Sequence, residues 1–141
     1  MTFSPKNTIR NPWKKNPDSP RLNGFSAAVN RCASGPLDLN SLLVRNPPST
    51  FFARMSGDSM EGAGICDGDL LVIDRALPLK DGDIAVAFVD GEFVARRFRR
   101  IAGGARLESE GARRETFSFS GEDGIDLFGV VTAIVRRFPQ R

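Results

Sequence analysis

The chain has 141 residues, 40% hydrophobic and 26% charged, with a net charge of +3. That supports one globular domain with a sizeable core and leaves too little chain for two. The absence of histidine excludes Ser-His-Asp and Cys-His catalysis, and two cysteines, Cys32 and Cys66, cannot complete a four-ligand zinc shell, so neither metal nor cofactor is expected.

Met1 to Lys15 is polar and basic and has no apolar signal-peptide core, and no apolar run reaches the length of a membrane span. The two cysteines therefore read as free thiols in a reducing cytoplasm, with no membrane contact. Charge is uneven: residues 1–31 carry six basic side chains against one acidic, and the remainder carries 14 basic against 16 acidic. Such a basic tail suits contact with nucleic acid or an acidic protein, or is a solvated flexible tail.

Residues 1–49 hold seven of the nine prolines and lack sustained apolar periodicity. This is an extended arm that docks locally, through Phe25 or Leu37, and does not fold alone. Leu39 to Val44 reads as one short helical turn or a strand-like anchor, with Asp38 as its cap. The boundaries that follow are an N-terminal arm over residues 1–39 and a β domain over 40–141.

From residue 50 the chain changes character. Strands are predicted at Thr50–Met55, Leu70–Asp74, Asp83–Val89, Glu92–Ile101, Ala105–Glu110, Thr116–Ser120 and Asp126–Phe138. No helical repeat interrupts them, so the fold class is mainly β. Leu70–Ile73 and Val130–Val135 are apolar at nearly every position, which predicts cover on both faces. Asp-Gly pairs at 67–68, 81–82 and 90–91 punctuate the strands as recurrent turn chemistry. Asp90-Gly91 suits a two-residue hairpin loop, which places Val89 opposite Glu92 and Ala85 opposite Arg96.

Between the first two strands lies Ser56-Gly57-Asp58-Ser59-Met60. A polar, glycine-flanked serine between strands can hold its hydroxyl and nearby backbone N–H groups toward one carbonyl, as a nucleophile requires. By itself the motif is equally at home as an ordinary turn.

Five stretches together carry a resemblance: Asp38-Leu39-Asn40, Ser56-Gly57-Asp58-Ser59-Met60, Asp67-Gly68-Asp69-Leu70-Leu71, Val89-Asp90-Gly91-Glu92-Phe93 and Phe128-Gly129-Val130-Val131. In this order and spacing, over about residues 22–137, the chain resembles the LexA/UmuD family of self-cleaving serine peptidases, the S24 family, and its UmuD-like members most closely. The resemblance implies a β body behind an extended arm, and a Ser-Lys dyad in which a buried lysine deprotonates the serine. The nucleophile position falls on Ser59, and the oxyanion donors on the backbone N–H groups of Ser59 and Asp58. The arm is the substrate, and position and the following Phe25 place the cleavage site at Asn23-Gly24. Family members usually carry Cys or Ala where Asn23 stands, and Asn-Gly is also a good turn former.

The lysine does not carry over. The base position in Val94-Ala95-Arg96-Arg97 is Arg96, and a guanidinium is effectively always protonated. The chain's lysines are Lys6, Lys14, Lys15 and Lys80, the last in the turn before Asp81-Gly82, where an exposed amine is expected. Arg96 itself should swing toward water or find a carboxylate.

The resemblance thus implies an SOS-response mutagenesis protein: a homodimer, stimulated by a RecA–single-stranded DNA filament and serving a UmuC-like Y-family translesion polymerase. Self-cleavage is expected to be impaired; the alternative is an active Ser-dependent peptidase using another base. A repressor reading fails because the Pro-rich residues before the serine turn leave no room for a helix-turn-helix, so no sequence-specific DNA binding is expected. Signal peptidases are similar around Ser-Met but need a membrane anchor.

Overall fold

The computed structural model describes residues 38–120 and 125–139. Asn23, Gly24, Phe25, Cys32, Leu37 and the lysines other than Lys80 lie outside the described residues. The chain divides into two compact units, residues 1–45 and 46–141. In the first, the described residues form one short helix, α1, Leu39–Leu43. The Asp38 carboxylate caps it, accepting from the Asn40 amide at 3.0 Å and the Ser41 hydroxyl at 2.7 Å. A helix of five residues is too short to persist on propensity, so the cap matters more than composition.

The second unit is built from β1 (Thr50–Arg54), β2 (Leu70–Asp74), β3 (Ile84–Val89), β4 (Glu92–Ile101), β5 (Gly104–Glu108), β6 (Thr116–Phe119) and β7 (Asp126–Val135). Every predicted strand is present. The largest shift is at the end of β7, which stops at Val135 because Arg136 leaves the sheet to meet the Asp69 carboxylate at 2.6 Å. The strands form one antiparallel sheet in the order β1-β2-β7-β3-β4-β5-β6. The long reach from β2 to β7 places the last strand in the middle.

The β3–β4 hairpin has the predicted register, with Val89 opposite Glu92 and Ala85 opposite Arg96. Its turn uses positive φ at both central residues, 51° at Asp90 and 84° at Gly91. Asp-Gly tolerates that geometry, and it matches the twist of the strands it joins.

Strand neighbours point to opposite faces, and the core divides accordingly. Val86 and Ala95 join Met55, Met60, Ile65, Leu71 and Ile73 on one side. Ala85, Ala87, Phe98, Ala105 and Leu107 cluster on the other. The expectation of two covered faces holds for β2, buried from Leu71 to Asp74, and fails for β7. Past Val130 that strand alternates between partly buried and exposed positions, with Ile134 37% exposed. Its apolar run reflects β-branched strand preference as well as burial. No helix among the described residues is long and apolar enough to cross a membrane.

Candidate functional site

Ser59 follows β1 on a turn anchored at both ends. Met55 donates its amide to the Asp69 carbonyl at 2.8 Å, and Met60 is fully buried in the first core cluster. Between them the Gly57 amide donates to Asp67 Oδ1 at 2.7 Å, which ties the serine loop to the Asp67-Gly68 turn. The chain then tightens into a 3₁₀ turn, Glu61–Ala63. A buried methionine next to a half-buried serine fixes the side chain that precedes it, so the hydroxyl is not free to wander.

A second support comes from the β5–β6 connection. The Glu110 amide donates to the Ser59 carbonyl and its carbonyl accepts from the Gly62 amide, both at 2.7 Å. Glu110 is itself held by Arg97 of β4, Nε to Oε1 at 2.7 Å and Nη2 to Oε2 at 3.1 Å. This two-pronged pair holds the Glu110 carboxyl below the usual carboxylate range, chiefly through the Arg97 hydrogen bonds. Next along, Gly111 lies so close that a Cβ there would meet the Asp58 carbonyl at 2.6 Å and the Ser59 Cα at 3.0 Å. Gly111→Ala is expected to push the serine turn away and to cost about 1–3 kcal/mol, the usual range for overpacking. A thermal melt checks this; an unchanged midpoint would show that the two loops are not tightly apposed.

The predicted dyad position is filled from β4. Arg96 is 7% exposed, and its Nη1 donates to Ser59 Oγ at 3.0 Å and to the Ala95 carbonyl at 2.8 Å. Nη2 reaches Glu115 Oε2 at 3.4 Å, a long contact to a side chain that is 55% exposed. The guanidinium also lies 6.0 Å from the Phe117 ring centroid. Its Nε is buried and finds no acceptor among the described residues. Arg96 therefore stays inside, and the carboxylate it finds is a weak one.

Among the described residues the amides of Asp58 and Ser59 donate to no protein acceptor. Lys80 is exposed in the turn before β3, its amide bound to Asp83 Oδ2 at 2.9 Å. Asn23 and Gly24 lie outside the described residues. Sequence reasoning missed Arg97, Glu110, Gly111 and Glu115, which position the turn or face Arg96. Only the strand pairing reveals them, because β4 and β5 must meet before Arg97 can reach Glu110.

Chemically the site is rich in donors. Ser59 Oγ accepts from a cation, and arginine has five N–H donors and no lone pair with which to take a proton. The arrangement can polarise and bind a carbonyl or carboxylate, but Arg96 has no lone pair with which to take the proton of the hydroxyl.

A family model described as Peptidase S24-like matches residues 23–132. Protein ImpA of Escherichia coli is 41% identical over 114 residues, spanning 81% of this chain and 77% of the relative. Protein MucA of Escherichia coli is 42% identical over 74 residues, 52% of this chain and 51% of its own. The LexA repressor of Clostridium novyi (strain NT) is 32% identical over 103 residues, 73% of this chain but 49% of the repressor.

Proposed function

We propose a function from the premise that this chain belongs to the Peptidase S24-like family. It is a UmuD-like mutagenesis protein of the SOS response, a cytoplasmic homodimer that serves as accessory subunit to a UmuC-like Y-family translesion polymerase. Its self-cleavage at Asn23-Gly24, which a RecA–single-stranded DNA filament would stimulate, is impaired. The observation that carries the last point is the Arg96 Nη1 donor 3.0 Å from Ser59 Oγ. A general base must accept a proton over such a distance, and this neighbour can only donate. Support for the homodimer, beyond the family, is apolar surface at the end of the chain: Phe138 is 89% exposed and is not core packing.

The domain boundaries proposed are an arm over residues 1–39, which carries the cleavage site, and a peptidase-like β domain over 40–141. The second reading is an active peptidase in which another base serves Ser59. The amides of Asp58 and Ser59, which have no acceptor among the described residues, favour it, because an oxyanion site would still be available.

Mass measurement after incubation with RecA, single-stranded DNA and nucleotide tests the choice. The expected result is an intact chain. A product that begins at Gly24, lost in Ser59→Ala, would establish the second reading.

A further inference from the structure

We infer that the Ser59–Arg96 site is a receptor for a peptide's terminal carboxylate. The inference rests on the reading above, that Arg96 does not activate Ser59. Four donors of three kinds are available there. Arg96 is a cation nine-tenths buried, and its Nη2 is committed only to the 3.4 Å contact with Glu115. Ser59 Oγ accepts from Nη1, which leaves its own proton to give. The Asp58 and Ser59 amides are free among the described residues.

Charge balance selects the ligand. A buried cation is costly unless it is paired, and its one carboxylate here is long and half in water. The buried Nε without an acceptor adds to that deficit. A neutral peptide carbonyl uses the amides and leaves the cation uncompensated. A carboxylate has two oxygens, one for the amides and one for the hydroxyl and guanidinium, and brings the missing charge. An oxyanion site built on such amides receives the carbonyl oxygen of the residue before a cut, so a chain that ends at that residue presents its carboxylate to them. The residues that lead to the proposed cut, Asn16 to Asn23, end in such a group once the following bond has been broken by any peptidase.

The test uses the full chain and peptides corresponding to residues 16–23, N-acetylated and fluorescently labelled, as the free acid and as the C-terminal amide. Anisotropy should show the acid bound about tenfold or more tightly, the usual advantage of a hydrogen-bonded charge. Arg96→Met should abolish the difference while residual amide binding reports an intact fold. Glu115→Gln changes an exposed side chain and removes the competing carboxylate, so it should increase the acid preference. A scrambled peptide acid of the same length identifies the source: equal binding means any chain end is taken, weaker binding means this arm is preferred. Acid and amide bound alike by wild type would overturn the inference, as would a reduced preference in Glu115→Gln. A longer peptide, residues 16–28, separates this from the previous reading. Its hydrolysis would defeat the proposal of impaired cleavage, whereas no hydrolysis with no acid preference defeats the receptor alone.

Discussion

Arg96→Lys should convert an uncut chain into one that cleaves itself at Asn23-Gly24, with a rate that climbs as pH is raised. The substitution exchanges a donor with no lone pair for an amine that becomes a base once deprotonated. Burial at this position disfavours the ammonium form and lowers the lysine pKa, while Glu115 opposes the shift. Raising pH therefore increases the fraction of free amine, and the rate should level off once it is fully deprotonated. A positioned general base contributes typically ~10²–10⁴-fold, which separates a cut seen within hours from none. Ser59→Ala in that background should abolish the product, and Glu115→Gln should bring the rise to lower pH. Mass spectra over a pH series read all three. If Arg96→Lys stays uncut, adding Asn23→Ala separates a missing base from a poorly fitting substrate residue. Persistent failure of the double variant would show that more than the base has been lost.

How the sequence reported on this site follows from the range of the interactions involved. The β3–β4 register was legible because Asp90-Gly91 is a two-residue turn whose chemistry fixes its own pairing. That register alone places Arg96 opposite Ala85, as the structure has it. The Ser59 turn was legible as a local motif, a glycine-flanked serine between two strands. Glu110, Gly111 and Glu115 were not, because their role depends on β4 pairing with β5 and on a loop meeting a turn some fifty residues earlier in the chain. No short-range signal distinguishes a glycine needed for close approach from one needed for a turn. The exposed half of β7 is hidden in the sequence for a related reason: Val, Ile and Thr favour strands whether or not both faces are covered. The fate of Arg96 was half legible. Burial cost called for a carboxylate, but which carboxylate depended on where β6 begins.

Arg136→Ala should produce the largest loss of stability of any single change outside the core. Asp69 is 1% exposed, and its two oxygens receive Arg136 Nε at 2.7 Å and Nη2 at 2.6 Å, with the Cys66 amide at 2.8 Å. Arg136 also donates to the Gly64 carbonyl at 2.7 Å, so one side chain just past β7 clamps the segment between Ser59 and β2. Removing it leaves a buried carboxylate without its counter-charge, a change that costs about 3–5 kcal/mol in such settings. The lower end is expected, since the arginine side chain is 46% exposed and water can replace it in part. The pH dependence identifies the cause. Hydrogen bonds from Arg136 hold the Asp69 carboxyl at about 2, against an ordinary value of 3.8 and against burial, which acts to raise it. Because the folded value lies below the unfolded one, this stabilisation, about 2 kcal/mol, is present above pH 3.8 and is lost as pH falls toward 2. In Arg136→Ala burial acts unopposed by the guanidinium, and the carboxyl should move upward. Urea unfolding at pH 7 should therefore separate wild type from variant by roughly 3 kcal/mol, and the gap should narrow as the medium is acidified below pH 4. A gap below about 1 kcal/mol at neutral pH would place the pair among ordinary surface bridges. One that does not change with acid would assign the loss to Gly64 and packing, and not to the Asp69 charge.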